Sequence, residues 1–195
     1  MNIPPEHTDD IFDFLRKGHF ISEDSRDETM RNWFRIIDDG NNYETLCEYF
    51  SMLNLSLEEG KGYYYLSQKE EKSDIERKIK QAYKWIDILD FLKAYGRSSN
   101  LLFMQGTIFS ASQILLQCNT NHVLKEKLDG LNRYFPSKKA IERIEKLIKH
   151  LEKQYFVEIS DPYTQKYKVL ASFNYLEDLV ISINIEEGTK DAISE

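Results

Sequence analysis

The residues whose types and spacing best suit a chemical role in this chain are cations at helical intervals. Lys139, Arg143, Lys146, His150 and Lys153 recur at steps of three and four, so a helix would carry them along one side. At about 100° per residue, their mean direction is nearly opposite that of an apolar line on the same helix. Such a cationic ridge can bind nucleic-acid phosphates without reading the base sequence.

The same pattern is also typical of an ordinary solvent-exposed helix face. Glu142, Glu145 and Glu152 flank the ridge and could pair with it across single turns. The whole chain carries a formal net charge of -7, so a cationic stripe runs against its overall balance. Three uses of the ridge therefore stay open: a solvated face, a contact with DNA phosphates, and a contact with an acidic protein surface.

The sequence shows no recognisable motif of a catalytic, metal or nucleotide site. Gly60, Lys61 and Gly62 lack the spacing and the following Ser or Thr of a phosphate-binding loop. Cys47 and Cys118 are two lone thiols, which suits a reducing cytoplasm. The four histidines are scattered, without a paired-His motif. We expect no enzymatic activity and no cofactor or metal; an enzyme or sensor with a buried polar pocket is the remaining alternative.

Composition indicates a soluble globular protein with real hydrophobic cores. The 195 residues are 41% hydrophobic and 13% aromatic, enough for one domain or two small ones. No apolar run is long enough to cross a bilayer, and the N-terminal residues lack the features of a signal peptide. We therefore expect a cytoplasmic protein with no membrane partner.

The cationic ridge belongs to a helix followed by a β-hairpin. Apolar spacing predicts the helix from Pro136 and Ser137 to about Tyr155. Strand-like composition follows at 156–159 and again at 167–170, with a turn at Asp161, Pro162 and Tyr163 between them. This order is that of the back half of a winged helix-turn-helix domain.

The first part of the chain repeats the order of helices followed by a hairpin. Helices are predicted at 9–17, 27–38 and 43–53, and the hairpin pairs 55–57 with 63–66 around a glycine-bearing turn. The charged segment QKEEKSD separates the halves. The predicted fold is mainly α with two small β-hairpin wings, as tandem winged helix-turn-helix domains. The domains span 1–72, for dimer or partner binding, and 73–195, which carries the basic helix.

The second part has further predicted elements before the basic helix. A long helix should run from Ser73 to Tyr95 and end at Gly96, because glycine often terminates helices. A short strand at 101–104, helices at 110–117 and 119–131, a closing helix at 173–185 and a frayed tail complete the chain.

The two hairpins differ in their surroundings. The helix before the first hairpin carries Glu44 and Glu48 and no Lys or Arg, so a DNA backbone would repel it. In the first hairpin, Tyr63 and Tyr65 point to the face opposite Tyr64. One set should therefore be core and the other exposed. Two interpretations stay open: the tyrosines cover the core and edge of the domain, or Tyr63 and Tyr65 form an aromatic anchor for a partner peptide or strand.

The first half of the chain resembles a known family. The run GHFISEDS…RNWFRIIDD…YETLCEYFSMLNLSLEEGKGYYYLSQ resembles the N-terminal module of MksE, the MukE-like subunit of bacterial condensins. The end, YKVLASFNYLEDLVISINI, is similar to that group's C-terminal helix region. The resemblance covers about 12–185.

This resemblance implies tandem winged-helix (KITE) domains that form a homodimer. It also implies a non-catalytic subunit that binds a kleisin (MksF- or MukF-like) and, through it, an SMC ATPase. The subunit would be nucleoid-associated and would contact DNA without sequence preference in chromosome segregation or plasmid defence. A winged-helix transcription regulator is the alternative, although the ridge has mostly Lys and no Asn or Gln to read bases.

Overall fold

A computed structural model describes residues 3–68 and 75–180 of the protein. The predicted domain boundary at 72/73, the predicted helix start at Ser73, the end of the closing helix beyond 180 and the tail lie outside the described residues. Within these two ranges, no helix combines the length and the apolarity that a membrane crossing requires.

The N-terminal half begins with three helices and a short strand. They are α1 (Thr8–Leu15), β1 (Ile21–Ser22), α2 (Glu28–Asp38) and α3 (Gly40–Ser51). Asp27 caps α2 by accepting a hydrogen bond from the Thr29 N–H. Asp39 likewise caps α3 by accepting from the N–H groups of Asn41 and Asn42. Because of this cap, Gly40 to Asn42 form the first turn of α3, whereas the sequence predicted a break there and a helix start at Tyr43.

The first hairpin is confirmed, and β1 adds a third strand to it. Strands β2 (Leu55–Gly60) and β3 (Tyr63–Gln68) pair antiparallel over their whole length. Strand β1 pairs only with Tyr63 and Tyr64 on the other side of β3, giving the order β1-β3-β2. The central strand of this sheet is therefore covered on one side along six residues and on the other along two.

The C-terminal half follows the same order, with one additional helix before its hairpin and another after it. Its elements are α4 (Ile75–Ser98), β4 (Ile108–Ser110), α5 (Ala111–Thr120), α6 (His122–Gly130), a 3-10 turn (Leu131–Arg133), α7 (Ala140–Lys153), β5 (Val157–Asp161), β6 (Lys166–Val169), a second 3-10 turn (Ala171–Phe173) and a helix, α8, over 174–180. The predicted hairpin is confirmed, and the sheet order is β4-β6-β5.

Two predictions for this half are wrong. Helix α4 continues past Gly96 to Ser98, and this glycine is buried where the chain returns at Leu101 and Phe103. Residues 101–104 are not a strand; the third strand of the sheet is β4, at Ile108–Ser110. A strand of three residues pairs with distant β6 and has little local signal of its own.

The hydrophobic cores of the two halves interlock. The larger core gathers residues of the C-terminal half but also takes in Phe20 and Tyr63 from the N-terminal half. The ring of Phe20 lies 5.0 Å from those of Phe156 and Tyr175. In the other direction, Tyr155 packs against the N-terminal core, 4.8 Å from Phe14. The halves are therefore packed against each other as one body.

A polar network also joins the halves at the loop after β1. The Glu158 carboxylate accepts hydrogen bonds from the Ser25 hydroxyl at 2.9 Å and from the Arg26 N–H. Its other contact is an ion pair of 3.1 Å with Lys168. Lys168 also donates to the Asp24 carbonyl. Since these side chains are largely shielded from solvent, the loop is held firmly on the second sheet.

Candidate nucleic-acid interface

Helix α7 carries the predicted cationic ridge, and its apolar side fixes its orientation. Ile144, Leu147, Ile148 and Leu151 are buried on that side. The helix ends where Tyr155 adopts a left-handed conformation (φ 59°) and the Phe156 N–H donates to the Leu151 carbonyl at 3.0 Å. The opposite side of α7 must therefore face solvent.

Four exposed lysines lie along one side of α7, and we call them the lysine face: Lys139 at the N-cap position, and Lys146, Lys149 and Lys153 within the helix. Three of them were predicted from the sequence, and Lys149 was missed. Among the described residues, Lys149 and Lys153 have no ion-pair partner. Lys139 pairs with Glu142 at 3.1 Å, and Lys146 donates to the Pro136 carbonyl. Lys149 and Lys153 are thus available to bind an anion. Lys139 and Lys146 can bind one by giving up a weak surface contact.

Arg143 does not lie on the lysine face, which corrects the sequence prediction. Its residue exposure is only 7%. The guanidinium donates to Asp129 Oδ1 at 2.7 Å, to Asn132 Oδ1 at 3.0 Å and to the Ser137 carbonyl at 2.8 Å. Arg143 therefore ties α7 to the segment that leads into it. Helical spacing alone could not reveal this, because Arg143 lies at the border between the apolar and polar sides.

His150 is also turned inward, so the prediction of a solvent-facing cation is wrong. Its ring stacks on Trp85 at 5.1 Å and lies 5.5 Å from Phe135. Burial, followed by the charges of Lys84 and Lys153, lowers the pKa of His150 to about 4. His150 is therefore neutral at pH 7 and adds no charge to the lysine face.

The charges around the lysine face are arranged asymmetrically. Glu145 and Glu152 lie towards the second sheet. Burial is the main cause that raises the pKa of Tyr167 there, and the charges of these two glutamates raise it further. On the side of the N-terminal half, burial is the main cause that lowers the pKa of His19, and the charges of exposed Lys17 and Lys153 lower that pKa further.

The helix in the matching position of the first half has the opposite character. Glu44 and Glu48 are exposed on α3, which contains no Lys or Arg. Exposed apolar side chains follow near its end, at Tyr49, Met52 and Leu53. A phosphate backbone would be repelled here, whereas a protein surface could cover the apolar groups.

The predicted partner-binding tyrosines lie between the two halves of the chain. Tyr64 is buried in the N-terminal core and donates to Asp38 Oδ1 at 2.9 Å. Tyr63, on the other face of β3, is 3% exposed and belongs to the C-terminal core. The expectation that one face of β3 is exposed is therefore wrong. Only Tyr65 reaches an open groove, so it remains the predicted partner contact of the pair.

That groove lies between β3, α4 and the start of β5, and we call it the aromatic groove. Its volume is about 380 Å³. Five aromatic side chains form its floor: Phe20, Tyr65, Trp85, Phe156 and Tyr175. Gly18, Leu66, Ser67, Gln68, Gln81, Ala82, Gln154 and Leu179 complete the described lining. None of these described lining residues is charged at neutral pH.

Among residues 3–68 and 75–180, no group of three or more His, Cys, Asp or Glu side chains could hold a metal ion. Cys47 and Cys118 are free thiols, and burial raises the pKa of Cys118 to about 11.

Comparison with known proteins identifies the family. No curated protein matches the chain. A family model described as condensin complex protein MksE matches residues 6–180, which include both sheets, the lysine face and the aromatic groove. The match covers most of the 195 residues, and the chain therefore belongs to the MksE family of condensin complex proteins.

Proposed function

We propose that this protein is an adaptor subunit of a bacterial condensin, linking a kleisin subunit, and through it an SMC ATPase, to DNA. Membership in the MksE family makes it a condensin accessory subunit with partners in that complex. The observation that carries the DNA contact is the lysine face of α7, which stands out in a chain with a net charge of -7. The adaptor would act in chromosome organisation and segregation or in defence against plasmids.

The proposal includes two winged-helix domains. In both halves a helix precedes a short strand, further helices follow, and a hairpin closes the sheet. Both sheets place the last strand between the other two. This repeated order supports tandem winged-helix domains of unlike surface charge, the first meeting protein and the second meeting DNA.

The proposed DNA contact is with phosphates and carries no sequence readout. Lysine offers a flexible point charge, whereas base reading relies on side chains such as Arg, Asn and Gln with paired hydrogen-bonding groups. Since Arg143 is buried in its own network, the exposed sector of α7 presents lysines as its only described cations.

The proposal also includes a homodimer formed through the first half. The exposed Tyr49, Met52 and Leu53 lie together at the end of α3, where self-association would remove them from water. Light scattering after size exclusion should give twice the monomer mass. The monomer mass at micromolar concentration would contradict this part of the proposal.

The lysine face is tested by charge reversal. Lys146→Glu, Lys149→Glu and Lys153→Glu should each weaken binding to unrelated DNA duplexes by a similar factor. Each lost phosphate contact should reduce the slope of log K against log salt by about 0.9. Fluorescence anisotropy with several duplexes across a salt series measures both quantities.

Lys125→Glu is the matched control, because Lys125 is an exposed helical lysine outside the lysine face. It changes the net charge equally, so a similar loss in this variant would show a general charge effect and contradict the assignment. Selection from random duplexes adds a second check: an enriched consensus sequence would favour a transcription regulator.

A further inference from the structure

The lysine face has two borders, and they differ in charge. Towards the second sheet it is bordered by Glu145 and Glu152, whose charges help to raise the pKa of Tyr167. Phosphates that approach α7 from this side would meet negative charge. On the other side of α7, the residues that follow one another along the border are Lys146, His150 and Lys153, at steps of four and three.

Three contacts show that this second border lies against α4 and the segment before α7. The ring of His150, one turn after Lys146, stacks on Trp85 of α4 at 5.1 Å. The Phe135 ring lies 5.5 Å from the same His150 ring. Lys146 itself donates to the carbonyl of Pro136, the residue after Phe135. Trp85 and the segment 135–136 therefore flank α7 on the side of Lys146.

Lys84 of α4 lies at this same border. Its Nζ atom lies 5.0 Å from the centre of the Phe135 ring and 6.0 Å from that of the Tyr134 ring. A cation in such a position is attracted by the faces of the rings. The ammonium groups of Lys84 and Lys146 therefore contact neighbouring residues, Phe135 and Pro136. Lys84 thus adds a cation from a second helix beside the lysine face.

Lys84 has no carboxylate partner among the residues that the structure describes. Asp87, one turn further along α4, is already engaged, because it pairs with Arg133 and accepts a hydrogen bond from the Tyr134 hydroxyl at 2.6 Å. Burial lowers the pKa of Lys84, so its surroundings disfavour the charged form. An anion beside Nζ would offset that cost. The half-buried ammonium is therefore positioned by aromatic rings and left available to an anionic ligand.

We propose that Lys84 belongs to the DNA-binding surface, so that the duplex lies on the α4 side of α7 and away from the β5–β6 hairpin. This inference rests on the proposed DNA contact and adds a residue and a direction to it. Phosphates that bind Lys146 and Lys153 would be continued by a phosphate at Lys84. Because cations from two helices then bind the same backbone, the direction of the duplex across the protein is fixed.

The β5–β6 hairpin is the other side on which a duplex could lie, and its charges suit phosphates less well. Its turn holds the carboxylate of Asp161, which accepts hydrogen bonds from the Thr164 hydroxyl and from the Tyr163 N–H at 2.9 Å. These hydrogen bonds, that of Thr164 first, lower the pKa of Asp161 and keep it ionised. Lys166 is an exposed cation on this hairpin, so it provides a matched control for Lys84.

Neutral substitutions on the two sides of α7 test the direction of the duplex. Lys84→Gln should weaken binding to unrelated duplexes about fivefold near about 0.15 M salt, and should lower the slope of log K against log salt by about 0.9. Lys84→Arg keeps the charge and should retain most of the affinity. Lys166→Gln changes the net charge as much as Lys84→Gln does, but should leave the affinity nearly unchanged. Fluorescence anisotropy across a salt series measures these values, and urea unfolding reports the stability of each variant.

Lysine footprinting tests the wild-type protein directly. A bound duplex should slow the reaction of the Lys84 Nζ atom with an amine-directed methylating reagent, as it should for the lysine face. The reaction of Lys166 should keep its rate. Mass spectrometry of the labelled peptides gives the rates with and without DNA, and this measurement does not depend on how any variant folds.

The outcomes separate this inference from the proposed function. Weaker binding in Lys166→Gln and protection of Lys166, with Lys84 unaffected, would place the duplex on the hairpin side; the inference would fail and the DNA contact would stand. Equal losses of affinity and stability in Lys84→Gln and Lys84→Arg would assign Lys84 a packing role and would also overturn it. A wild-type protein that binds no duplex would overturn the proposed DNA contact together with this inference.

Discussion

Two residues of α7 show how far helical spacing predicts the position of a side chain. Arg143 and Lys149 lie on the same helix, yet Arg143 is buried in a hydrogen-bond network while Lys149 is exposed. Spacing places the centres of the apolar and polar sides correctly, and Lys139, Lys146 and Lys153 are exposed as predicted. At the border between the sides, the decision depends on acceptors such as Asp129, which no local pattern reveals.

The neutral state of His150 predicts a measurable dependence of stability on pH. Its folded-state pKa of about 4 lies below the ordinary value of about 6.5, so the unfolded chain takes up the proton first as pH falls. The free energy of unfolding should therefore decrease from about pH 6.5 towards pH 4. His19, whose pKa is also lowered, contributes in the same direction. Urea unfolding at a series of pH values measures the slope.

His150→Gln should be less stable at pH 7 but should show a shallower decrease between pH 6.5 and 4. His122→Gln is the matched control, since the side chain of His122 is 82% exposed. A wild-type-like slope in His150→Gln would mean that His150 is protonated in the folded protein, against its position between Trp85 and Phe135.

At the scale of elements, the helices and both hairpins could be predicted from the sequence, whereas β1 and β4 could not. Long helices carry their apolar period within themselves, and the hairpins have adjacent strands joined by turn residues. Strands β1 and β4 have two and three residues. Each forms only because a distant strand offers an edge, so their signal lies in the tertiary structure.

Gly96 illustrates an element-scale constraint that sequence reasoning misjudged. A Cβ atom at this position would lie 2.9 Å from the Leu101 carbonyl oxygen and 3.1 Å from the Phe103 nitrogen. Both are main-chain atoms, which cannot move aside cheaply. The glycine therefore permits the returning chain to pack directly on α4, and it does not end the helix.

Two glycine-to-alanine variants should consequently change stability in opposite directions. Gly96→Ala should lower the free energy of unfolding by about 1–3 kcal/mol, because the added methyl group overpacks a close contact. Gly130 lies at the end of α6 in helical conformation, and a Cβ there meets nothing within 4 Å. Gly130→Ala should raise the free energy of unfolding by about 0.4–1 kcal/mol. Denaturant titration distinguishes the signs, and a stabilised Gly96→Ala would contradict the assigned contact.

At the scale of the whole molecule, the order of elements suggested two domains, and the structure shows how closely they are joined. Phe20 and Tyr63 belong to the larger core, and Tyr155 reaches into the smaller one. Glu158 and Lys168 add polar contacts to the loop after β1. Such long-range contacts have no sequence signature, so the sequence indicated two modules but could not indicate their coupling.

This coupling predicts a single cooperative unfolding transition. The two tryptophans report on different cores, since Trp33 packs against the smaller core and Trp85 lies in the larger one. Trp33→Phe and Trp85→Phe each leave one fluorescent probe. In each variant, the tryptophan fluorescence and the helical circular dichroism should give the same denaturant midpoint. Two separate midpoints within one variant would show that the halves unfold independently.

The bridge of Asp24, Glu158 and Lys168 has a mechanical consequence. A load applied to the first sheet passes through this bridge and the interlocked aromatic rings to the second sheet, with little room for bending between them. A rotation of the first sheet would therefore also rotate the lysine face on α7. The two halves should then move as one rigid body when a partner binds at either sheet.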